Sequence, residues 1–349
     1  MIKKDIDMTL PSSGNPLSFS QISGEFGDND TSSLGGYRIR SGNQSYPQDF
    51  GGGFSVSSLD TGIPSSGPIK FSDFYGKSLN IVVDFHTGGA ETRQNAKTRF
   101  NSNNVSVIGG YASKPANTSG KKVTVYVNKQ IGSNTNSRFN VALKTGNWDS
   151  NTTLNIRTGT SGKIFGSGGT GGRGGNGGNT NGEPGTEGSS ALGITFAGTT
   201  ITNNGRIQSG YGGGGGGAGR GRSVSAGKKS SVFRTQSGGG GGGGAGRPIG
   251  QGGPGGTGGN NFNGGAGGNG TNTVAGTSGA GGSESGAGGT GGGPNIDANA
   301  AKAPNGGNSG GGSGGQGGNN GFAIITSGSA PSISGNAIIG RTKTNTNPT

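Results

Sequence analysis

The sequence contains no cysteine, so neither a disulfide framework nor a thiolate metal site can stabilise it. Apolar residues make up only 24% of the 349 residues, which argues against a single large apolar core. No apolar run approaches the roughly 18 residues of a membrane span. The first residues, Met1 to Asp7, also lack the apolar run of a secretory signal. We therefore expect a soluble chain without membrane insertion, made in the cytoplasm and stable without covalent cross-links.

Glycine is the commonest residue, with 89 of 349 residues, and in the glycine-rich tracts it recurs with a period of three. Gly-Gly-Xaa steps run through 168–178 and 252–259, and Gly-Gly-Gly-Gly-Ala-Gly-Arg occurs at 214–220 and again at 241–247. A period of three matches the left-handed polyproline II helix. With two glycines in each triplet, two faces of such a helix carry no side chain, so neighbouring backbones can approach and exchange hydrogen bonds. A dense lattice of such bonds would have to offset the large entropy cost of ordering glycine.

Composition alone also allows a flexible Gly/Ser linker in this region. The ordered alternative is favoured by the inserts between the glycine tracts, which resemble loops joining successive helices. These inserts are 179–189, 221–237, 260–263, 271–278 and 294–305. A longer apolar segment, 191–208, is typical of a β-hairpin seam, and 322–325 would close the same seam.

A middle zone of the chain carries short β-branched runs that alternate with polar residues, which is typical of half-buried strands. The runs are 81–85, 105–108, 123–127, 139–143 and 154–156, and turn-forming clusters separate them. We therefore predict an all-β protein in three parts. These are an N-terminal attachment segment (1–78), a small β-sandwich domain (79–158), and a C-terminal polyglycine II helix bundle with short β-hairpins and exposed loops (159–349).

Motifs for catalysis or cofactor binding are incomplete. The one histidine, His86, has only Asp84 as a nearby partner, and Gly76-Lys77-Ser78 ends like a P-loop without its first glycine. The carboxylates Glu183 and Glu187 lie in a glycine-rich stretch rather than in a rigid cleft. Arg173 forms a single Arg-Gly-Gly element, where RNA-binding segments repeat it many times. We predict no enzyme, no cofactor, no metal site and no nucleic-acid partner.

The first 78 residues contain two similar Phe-Ser units, 18–27 and 61–76, separated by the segment 33–38, and the second unit ends in Phe74-Tyr75-Gly76. On these residues, the N-terminal segment resembles a module at the front of many tailed-bacteriophage virion structural proteins. The resemblance implies attachment to other virion proteins of the tail, baseplate or fibre. A unit so poor in apolar residues would struggle to fold alone, so we expect it to complete its core on a neighbouring subunit. The attachment candidates are Phe19, Ile22, Phe26, Tyr37, Phe71, Phe74 and Tyr75.

The glycine-rich half is similar to phage tail-fibre and tip proteins, on the segment 201–207 that leads into the glycine run 212–217. It also resembles phage adhesins whose tip is a sandwich of polyglycine II helices. That resemblance implies a location on the tail or another external particle surface. It also implies loops that contact a host surface glycan or an outer-membrane protein. Fibres are commonly trimeric, whereas a polyglycine bundle can be a monomer, so the sequence allows either a homotrimer or a monomer.

The formal charge of +13 and pI of about 10.1 favour acidic partners. The insert 221–237 concentrates cations beside an aromatic residue, a combination that suits anionic sugars or acidic protein loops. Our receptor-contact candidates are Tyr211, Arg222, Lys228, Lys229, Phe233, Arg234 and, in a second loop, Phe262. The same residues are also compatible with a solvated turn or a contact to another virion subunit. A virion component that binds no receptor (a baseplate, tail-tip or capsid decoration protein) is the alternative function.

Overall fold

The protein is predominantly β-structure with short helices. A computed structural model describes residues 10–26, 33–37, 48–56, 62–64, 66–86, 88–102, 117–134, 137–178, 180–225, 231–257, 263–281, 285–293 and 312–349. The helices in these ranges are α1 (Phe19–Phe26), α2 (Ala96–Asn101) and the 3-10 turns Leu34–Tyr37 and Phe71–Phe74. None of these described helices has the length and apolarity to cross a bilayer. The strands are β1 (Gln48–Asp49), β2 (Ser55–Val56), β3 (Asn80–Phe85), β4 (Glu91–Thr92), β5 (Gln94–Asn95), β6 (Lys122–Val127), β7 (Gln130–Gly132), β8 (Val141–Lys144), β9 (Thr153–Thr158), β10 (Lys163–Phe165), β11 (Ser190–Ile194), β12 (Thr200–Asn203), β13 (Arg206–Gln208), β14 (Arg220–Ser225), β15 (Ser231–Gln236), β16 (Ile324–Thr326), β17 (Ser332–Gly335) and β18 (Thr342–Lys343).

Most of these strands wind into a parallel β-solenoid with three sheets. Sheet 1 contains β3, β6, β9, β12 and β17; sheet 2 contains β4, β7, β10 and β13; sheet 3 contains β5, β8, β11, β16 and β18. The chain visits the sheets in this order in each turn, and each strand pairs in parallel with its equivalent in the preceding turn. A parallel bridge between Gln208 and Ile339 continues sheet 2 into the last turn.

Apolar side chains stack inside the solenoid because alternate residues of a strand face the same side. In sheet 1, Val83, Val125, Ile156 and Ile201 occupy paired positions in four successive turns, and each is at most 1% exposed. The equivalent stacks are Ile131, Ile164 and Ile207 in sheet 2, and Leu143, Leu192 and Ile324 in sheet 3. Burying each such side chain contributes about 1.5–3 kcal/mol, so these stacks form the apolar core of the molecule.

The N-terminal segment packs onto the solenoid core. Ile22, Phe26, Tyr37 and Phe74 are fully buried and join the same apolar cluster as Ile81 of β3. The expectation that this segment completes its core on a neighbouring subunit is therefore wrong. The segment is too poor in apolar residues to stand alone, but the first turn of its own solenoid supplies the missing surface.

A buried ion pair fixes this N-terminal cap to the second turn. The Nζ of Lys121 lies 2.9 Å from Oε2 of Glu25, and the two side chains are 3% and 1% exposed. Oε1 of Glu25 also accepts a hydrogen bond of 2.7 Å from the amide of Leu79. Because a buried charge is stable only when it is paired, α1 and the start of β6 are held in one relative position.

The glycine-rich sequence is inserted into the solenoid where sheet 2 leads to sheet 3. One insertion lies between β10 and β11, and a second, much longer one lies between β13 and β16. The described parts of both insertions run as extended segments: 166–176, 180–189, 209–219, 237–245, 249–257, 263–270, 275–281, 285–293 and 312–322. We call this array the glycine lattice.

Backbone hydrogen bonds with a period of three join the segments. The amides of Gly169, Gly172 and Gly175 donate to the carbonyls of Tyr211, Gly214 and Gly217, each at 2.8 Å. In 237–245, which we call the central segment, three consecutive amides donate to three different neighbours: Gly238 to Gly175, Gly239 to Gly286 and Gly240 to Gly265. Their carbonyls accept from three more, namely Gly256, Gly217 and Gly279. The central segment is therefore surrounded by six others.

The number of glycines in each triplet follows the position of the segment in the lattice. In the central segment, a Cβ on Gly238, Gly239 or Gly240 would lie 1.9–2.2 Å from a neighbouring carbonyl oxygen, so all three positions of this triplet must be glycine. In 166–176 the residues between the glycine pairs become exposed toward the distal part of the segment: Ser167 is buried, Thr170 is partly buried, and Arg173 and Asn176 are exposed. The outer segment 180–189 keeps one glycine per triplet, at Gly182, Gly185 and Gly188.

Three sequence-based predictions need correction. Residues 79–158 do not form a β-sandwich, because their strands pair in parallel with successive turns of one solenoid. The boundary at 158 also falls inside the third turn, since β10, β11, β12, β13, β16, β17 and β18 belong to the solenoid. Alternation within a strand is the same in both architectures, so it does not distinguish them. The β-hairpin expected at 191–208 is also wrong, because β11, β12 and β13 lie in sheets 3, 1 and 2 and do not pair with one another. The strand expected at 322–325 corresponds to β16, which pairs with β11. The expected strand at 105–108 lies outside the described residues.

Candidate functional site

The connections between outgoing and returning segments gather at one end of the lattice. Hydrogen bonds at one level join Gly175 to Gly217, Gly238 to Gly175, Gly256 to Gly238 and Gly264 to Gly256. Segments 166–176, 209–219 and 249–257 leave the solenoid side and stop just beyond this level, and the segments that follow each of them return from it. We call this the distal end. The opposite end holds the turn 245–248 and the junctions with the solenoid.

A β-hairpin projects from the distal end between 209–219 and the central segment. Its strands β14 and β15 pair antiparallel from Arg220 opposite Gln236 to Ser225 opposite Ser231. Residues 220–236 contain five basic residues and no acidic residue. Arg222 lies directly opposite Arg234 in the register. Like charges at directly opposed positions are unfavourable in an isolated hairpin.

A group of side-chain hydrogen bonds, which we call the lock, joins segments 166–176 and 249–257 at the distal end. Oδ1 of Asn176 accepts from the amide and the hydroxyl of Thr257, each at 3.0 Å, and the amide of Gly177 donates to the carbonyl of Thr257 at 3.0 Å. Arg173 is 3.5 Å from the same Asn176 oxygen. This contact was not predicted from the sequence. The sequence signal for it is that Asn176 and Thr257 each occupy the last non-glycine position of a glycine tract, just before the chain leaves the lattice at the distal end.

The structure separates the receptor-contact candidates. Arg222, Phe233 and Arg234 lie on the hairpin strands, and their side chains are outside the described part of the structure. Lys228 and Lys229 fall in 226–230, and Phe262 falls in 258–262; both stretches lie outside the described residues. The segments that flank these stretches do end at the distal end.

Tyr211 does not belong with this group. It lies at the solenoid end of the lattice, is 4% exposed, and its carbonyl accepts from Gly169 while its amide donates to Ala245. Burial raises the pKa of its hydroxyl above the ordinary value. The prediction of Tyr211 as a receptor contact is therefore wrong, because the glycine run that follows it leads inward through the lattice and not into a loop.

The attachment candidates divide into buried and partly exposed residues. Ile22, Phe26, Tyr37 and Phe74 are core residues of the cap, as described above, and their side chains do not form a surface. Phe19 and Phe71 are partly buried, with ring centroids 4.7 Å apart in an edge-to-face arrangement. The hydroxyl of Tyr75 donates to the carbonyl of Asn15 at 2.9 Å. Phe19, Phe71 and Tyr75 are the members of the set that retain accessible surface.

His86 and the acidic residues have structural contacts. Nδ1 of His86 lies 2.5 Å from Oδ2 of Asp84, and its ring packs edge-to-face on Phe50 at 5.4 Å, at the end of β3. Oε2 of Glu187 accepts from the amide of Arg138 at 3.3 Å. Among the described residues, no group of three or more histidine, aspartate and glutamate side chains is arranged to hold a metal ion.

Comparisons with known proteins give one similar structure. No family model matches the chain, and no curated protein matches it. Among solved structures, the chain is similar to the crystal structure of the gp37-gp38 adhesin tip complex of the bacteriophage S16 long tail fiber. The sequence identity is 20% and the TM-score is 0.34, and the similarity covers 79% of this chain and 88% of that chain.

Proposed function

We propose that this chain is a tail-associated bacteriophage adhesin that presents the distal end of its glycine lattice to the host surface. The observation that carries the proposal is that the connections following segments 166–176, 209–219 and 249–257 lie at one end of the lattice, away from the solenoid, with the basic hairpin β14–β15 among them. Loops on a rigid scaffold are the usual carriers of recognition. The resemblance of the first 78 residues to a virion module supports a location on the particle.

The lattice itself is proposed to be a bundle of polyglycine II helices. Three features support this: the period of three in the hydrogen bonds, donation to a different neighbour by each successive residue of the central segment, and the absence of room for Cβ atoms there. Such a bundle is stiff because each turn of each helix is bonded to its neighbours. Stiffness gives the distal connections a fixed spacing at little entropic cost during binding.

The proposed receptor is anionic, a glycan or an acidic loop of an outer-membrane protein. Five cations in 220–236 and the opposed pair Arg222 and Arg234 support this choice. Arginine pairs with carboxylate and phosphate groups in a bidentate geometry, which gives orientation as well as attraction. The proposal includes neither an enzymatic activity nor a cofactor.

Attachment to neighbouring virion proteins is assigned to the cap. Its accessible surface carries Phe19, Phe71 and Tyr75, which remain from the attachment candidates after the four core residues are removed. An Ala substitution at Phe19 or Phe71 is expected to weaken incorporation into particles while the solenoid core stays intact. Immunoblots of purified particles against total lysate measure incorporation.

The test of adhesion uses the full chain, because a fragment beginning at 159 would cut the third turn of the solenoid. A variant with Arg222, Lys228, Lys229 and Arg234 changed to Ser should lose most binding to host cells and most competition with phage adsorption. The loss should be larger at low salt, where charges are less screened. A control variant removes four exposed charges elsewhere, at Lys163, Arg247, Arg341 and Lys343. It should bind as the wild type does.

The alternative, a virion component that binds no receptor, predicts a different result. The wild-type chain would then neither bind cells nor compete with adsorption, although particles would still contain it. Equal loss in the hairpin variant and the control variant would remove the hairpin from the site and leave only a general effect of net charge.

A further inference from the structure

A cleft of about 530 Å³ lies on the solenoid, away from the distal end of the lattice. It is formed by two loops that lead from sheet 3 to sheet 1 in successive turns, 195–199 and 327–331. The strands on both sides are in register, since Ile194 pairs with Thr326 and Thr200 pairs with Ser332. The two loops therefore lie one above the other, and the space between them is fixed by the sheets.

The lining of the cleft combines hydroxyl groups with one aromatic ring. Seven hydroxyl side chains contribute: Thr195, Thr199, Thr200, Thr326, Ser327, Ser329 and Ser332. Phe196 is partly buried and packs on the solenoid core, which anchors its ring at the cleft. No charged side chain is among the residues that line the cleft in the described chain. This neutral lining contrasts with the net charge of +13 on the whole protein.

Four of the lining hydroxyl groups donate their protons within the protein: Thr199 to the carbonyl of Phe196 at 2.6 Å, Thr200 to that of Leu154 at 3.4 Å, Thr326 to that of Ser329 at 3.3 Å and Ser327 to that of Ile194 at 3.5 Å. Thr199 and Thr326 are each only 3% exposed. The hydroxyl groups that a ligand can reach belong to the exposed residues Thr200, Ser327, Ser329 and Ser332. Concave sites with apolar walls and a few convergent polar groups are the usual form of small-molecule sites.

A row of polar side chains extends the cleft across the outer face of sheet 1. Asn155, Thr200 and Ser332 occupy paired positions on β9, β12 and β17, about 4.8 Å apart as neighbouring strands require. Nδ2 of Asn155 donates to Oγ1 of Thr200 at 2.8 Å, which orients the row. Thr200 and Ser332 belong to both the row and the cleft.

We propose that the cleft and this row bind a neutral oligosaccharide. Many sugar hydroxyls require matching donors and acceptors, and the apolar face of a sugar ring packs on an aromatic side chain. An acidic glycan finds no cation in the cleft, and an acyl chain would cover the exposed hydroxyl groups of Ser329 and Ser332 without offering them a hydrogen bond. This site is separate from the basic hairpin, so one protein would carry two surfaces with different sugar chemistry.

The experiment measures binding of short neutral oligomers of glucose, galactose and N-acetylglucosamine to the full chain, with heparin as the anionic comparison. Titration calorimetry and ligand-observed NMR give the affinities. The variant Ser329→Trp places a large side chain in the cleft and should weaken neutral oligosaccharide binding by about tenfold or more. Ser161→Trp is the control, because Ser161 is exposed in the turn between β9 and β10, at another corner of the solenoid. Both variants should keep the wild-type melting temperature.

Three results would overturn the proposal: no neutral oligomer binds, Ser329→Trp and Ser161→Trp bind equally well, or heparin competes for the cleft as strongly as a neutral sugar does. The proposed adhesin function is tested separately, since the four-fold hairpin variant should retain neutral oligosaccharide binding. Loss of cell adhesion with retained sugar binding, or the reverse, identifies which of the two proposals has failed.

Discussion

The solenoid and the glycine lattice are ordered by opposite means within one chain. In the solenoid, apolar side chains stack inside three sheets, and Val83, Val125, Ile156 and Ile201 repeat at one position in four turns. In the lattice, the central segment has no side chain beyond hydrogen from Gly238 to Gly244, and its backbone bonds to six neighbours. The solenoid is stabilised by the removal of apolar side chains from water. The lattice is stabilised by hydrogen bonds between backbones, which can approach closely because no side chains separate them.

The difference shows how a sequence with only 24% apolar residues can order the described parts of both regions. Apolar residues are concentrated in the solenoid, where side chains form the core. Glycine is concentrated in the lattice, where the interior consists of backbone. The lattice is also anchored, because each of its two insertions begins and ends in strands of the solenoid. That anchorage reduces the entropy that each glycine segment loses when it joins the array.

The largest effect is expected when one methyl group is added to the lattice, because the interior of the lattice, unlike that of the solenoid, has no room for side chains. In Gly241→Ala the new Cβ would lie 2.0 Å from the carbonyl oxygen of Gly214. We expect a loss of more than about 4 kcal/mol in the stability of the lattice, with the solenoid still folded. Hydrogen exchange of the two regions measures this. Gly293→Ala is the control, since its nearest atom would be 3.4 Å away, and similar exchange in the two variants would contradict the role of bare backbone.

A second test removes one member of the buried ion pair that holds the cap on the solenoid. Glu25→Gln leaves the charge of Lys121 buried without its partner and should lower the free energy of unfolding by about 3–5 kcal/mol. Adding Lys121→Met should recover part of the loss. Chemical denaturation of both variants measures the effect, and a single variant as stable as the wild type would show that the pair does not fix the cap.

A third test applies side-chain truncation to the solenoid. Ile156→Ala leaves a cavity in the inner stack of sheet 1 and should cost about 2–5 kcal/mol. Thr153→Ala on the same strand changes an exposed side chain and should stay within about 0.5 kcal/mol of the wild type. Thermal unfolding measures both. Equal effects at the two positions would mean that the inner stack is not the core of this region.

The smallest expected effect is the dependence of stability on acidic pH through the carboxyl group of Asp149. Burial raises the pKa of Asp149, but hydrogen bonds from Lys97 and Thr118 lower it more strongly, and the resulting pKa is about 2 against an ordinary 3.8. The ionised form is therefore favoured in the folded state, and its stabilising contribution is present above pH of about 4 and lost as the pH falls through about 2.

Asp149→Asn should flatten the acid side of the pH-stability curve of the solenoid. Glu183→Gln, at an exposed position of the lattice edge, should leave that curve unchanged. Melting temperatures across an acidic pH series measure both variants. An unchanged acid limb in Asp149→Asn would show that other carboxylates control the loss of stability.

Sequence patterns predicted some elements of this structure and missed others for physical reasons. The runs at 81–85, 123–127, 139–143 and 154–156 do fall on β3, β6, β8 and β9. Their parallel pairing was missed because alternation records which side a residue faces but not the direction of its neighbour. The period of three was visible, whereas the insertion of the lattice inside two solenoid turns depends on contacts far apart in sequence.

The site was predicted less well than the fold. Tyr211 was grouped with the insert 221–237 because it lies near the start of that insert in the sequence, but Tyr211 and the residues 212–219 that follow it are buried in the lattice. The apolar residues of the cap were read as an external surface, yet Ile22, Phe26, Tyr37 and Phe74 complete the solenoid core. The hairpin strands at 220–236 contain Arg222 and Arg234 as a paired register position, which no local pattern in the sequence specifies.

The period of three has a consequence for insertions and deletions. Adding or removing one or two residues within the central segment would rotate every following residue onto a different neighbour, as a frameshift does to codons. Three residues at a time would keep the phase and change only the length, by about 9 Å for each triplet. The connections at the distal end are free of this constraint. Divergence among related chains should therefore show indels of any size at the tips, and indels only in multiples of three within the glycine tracts.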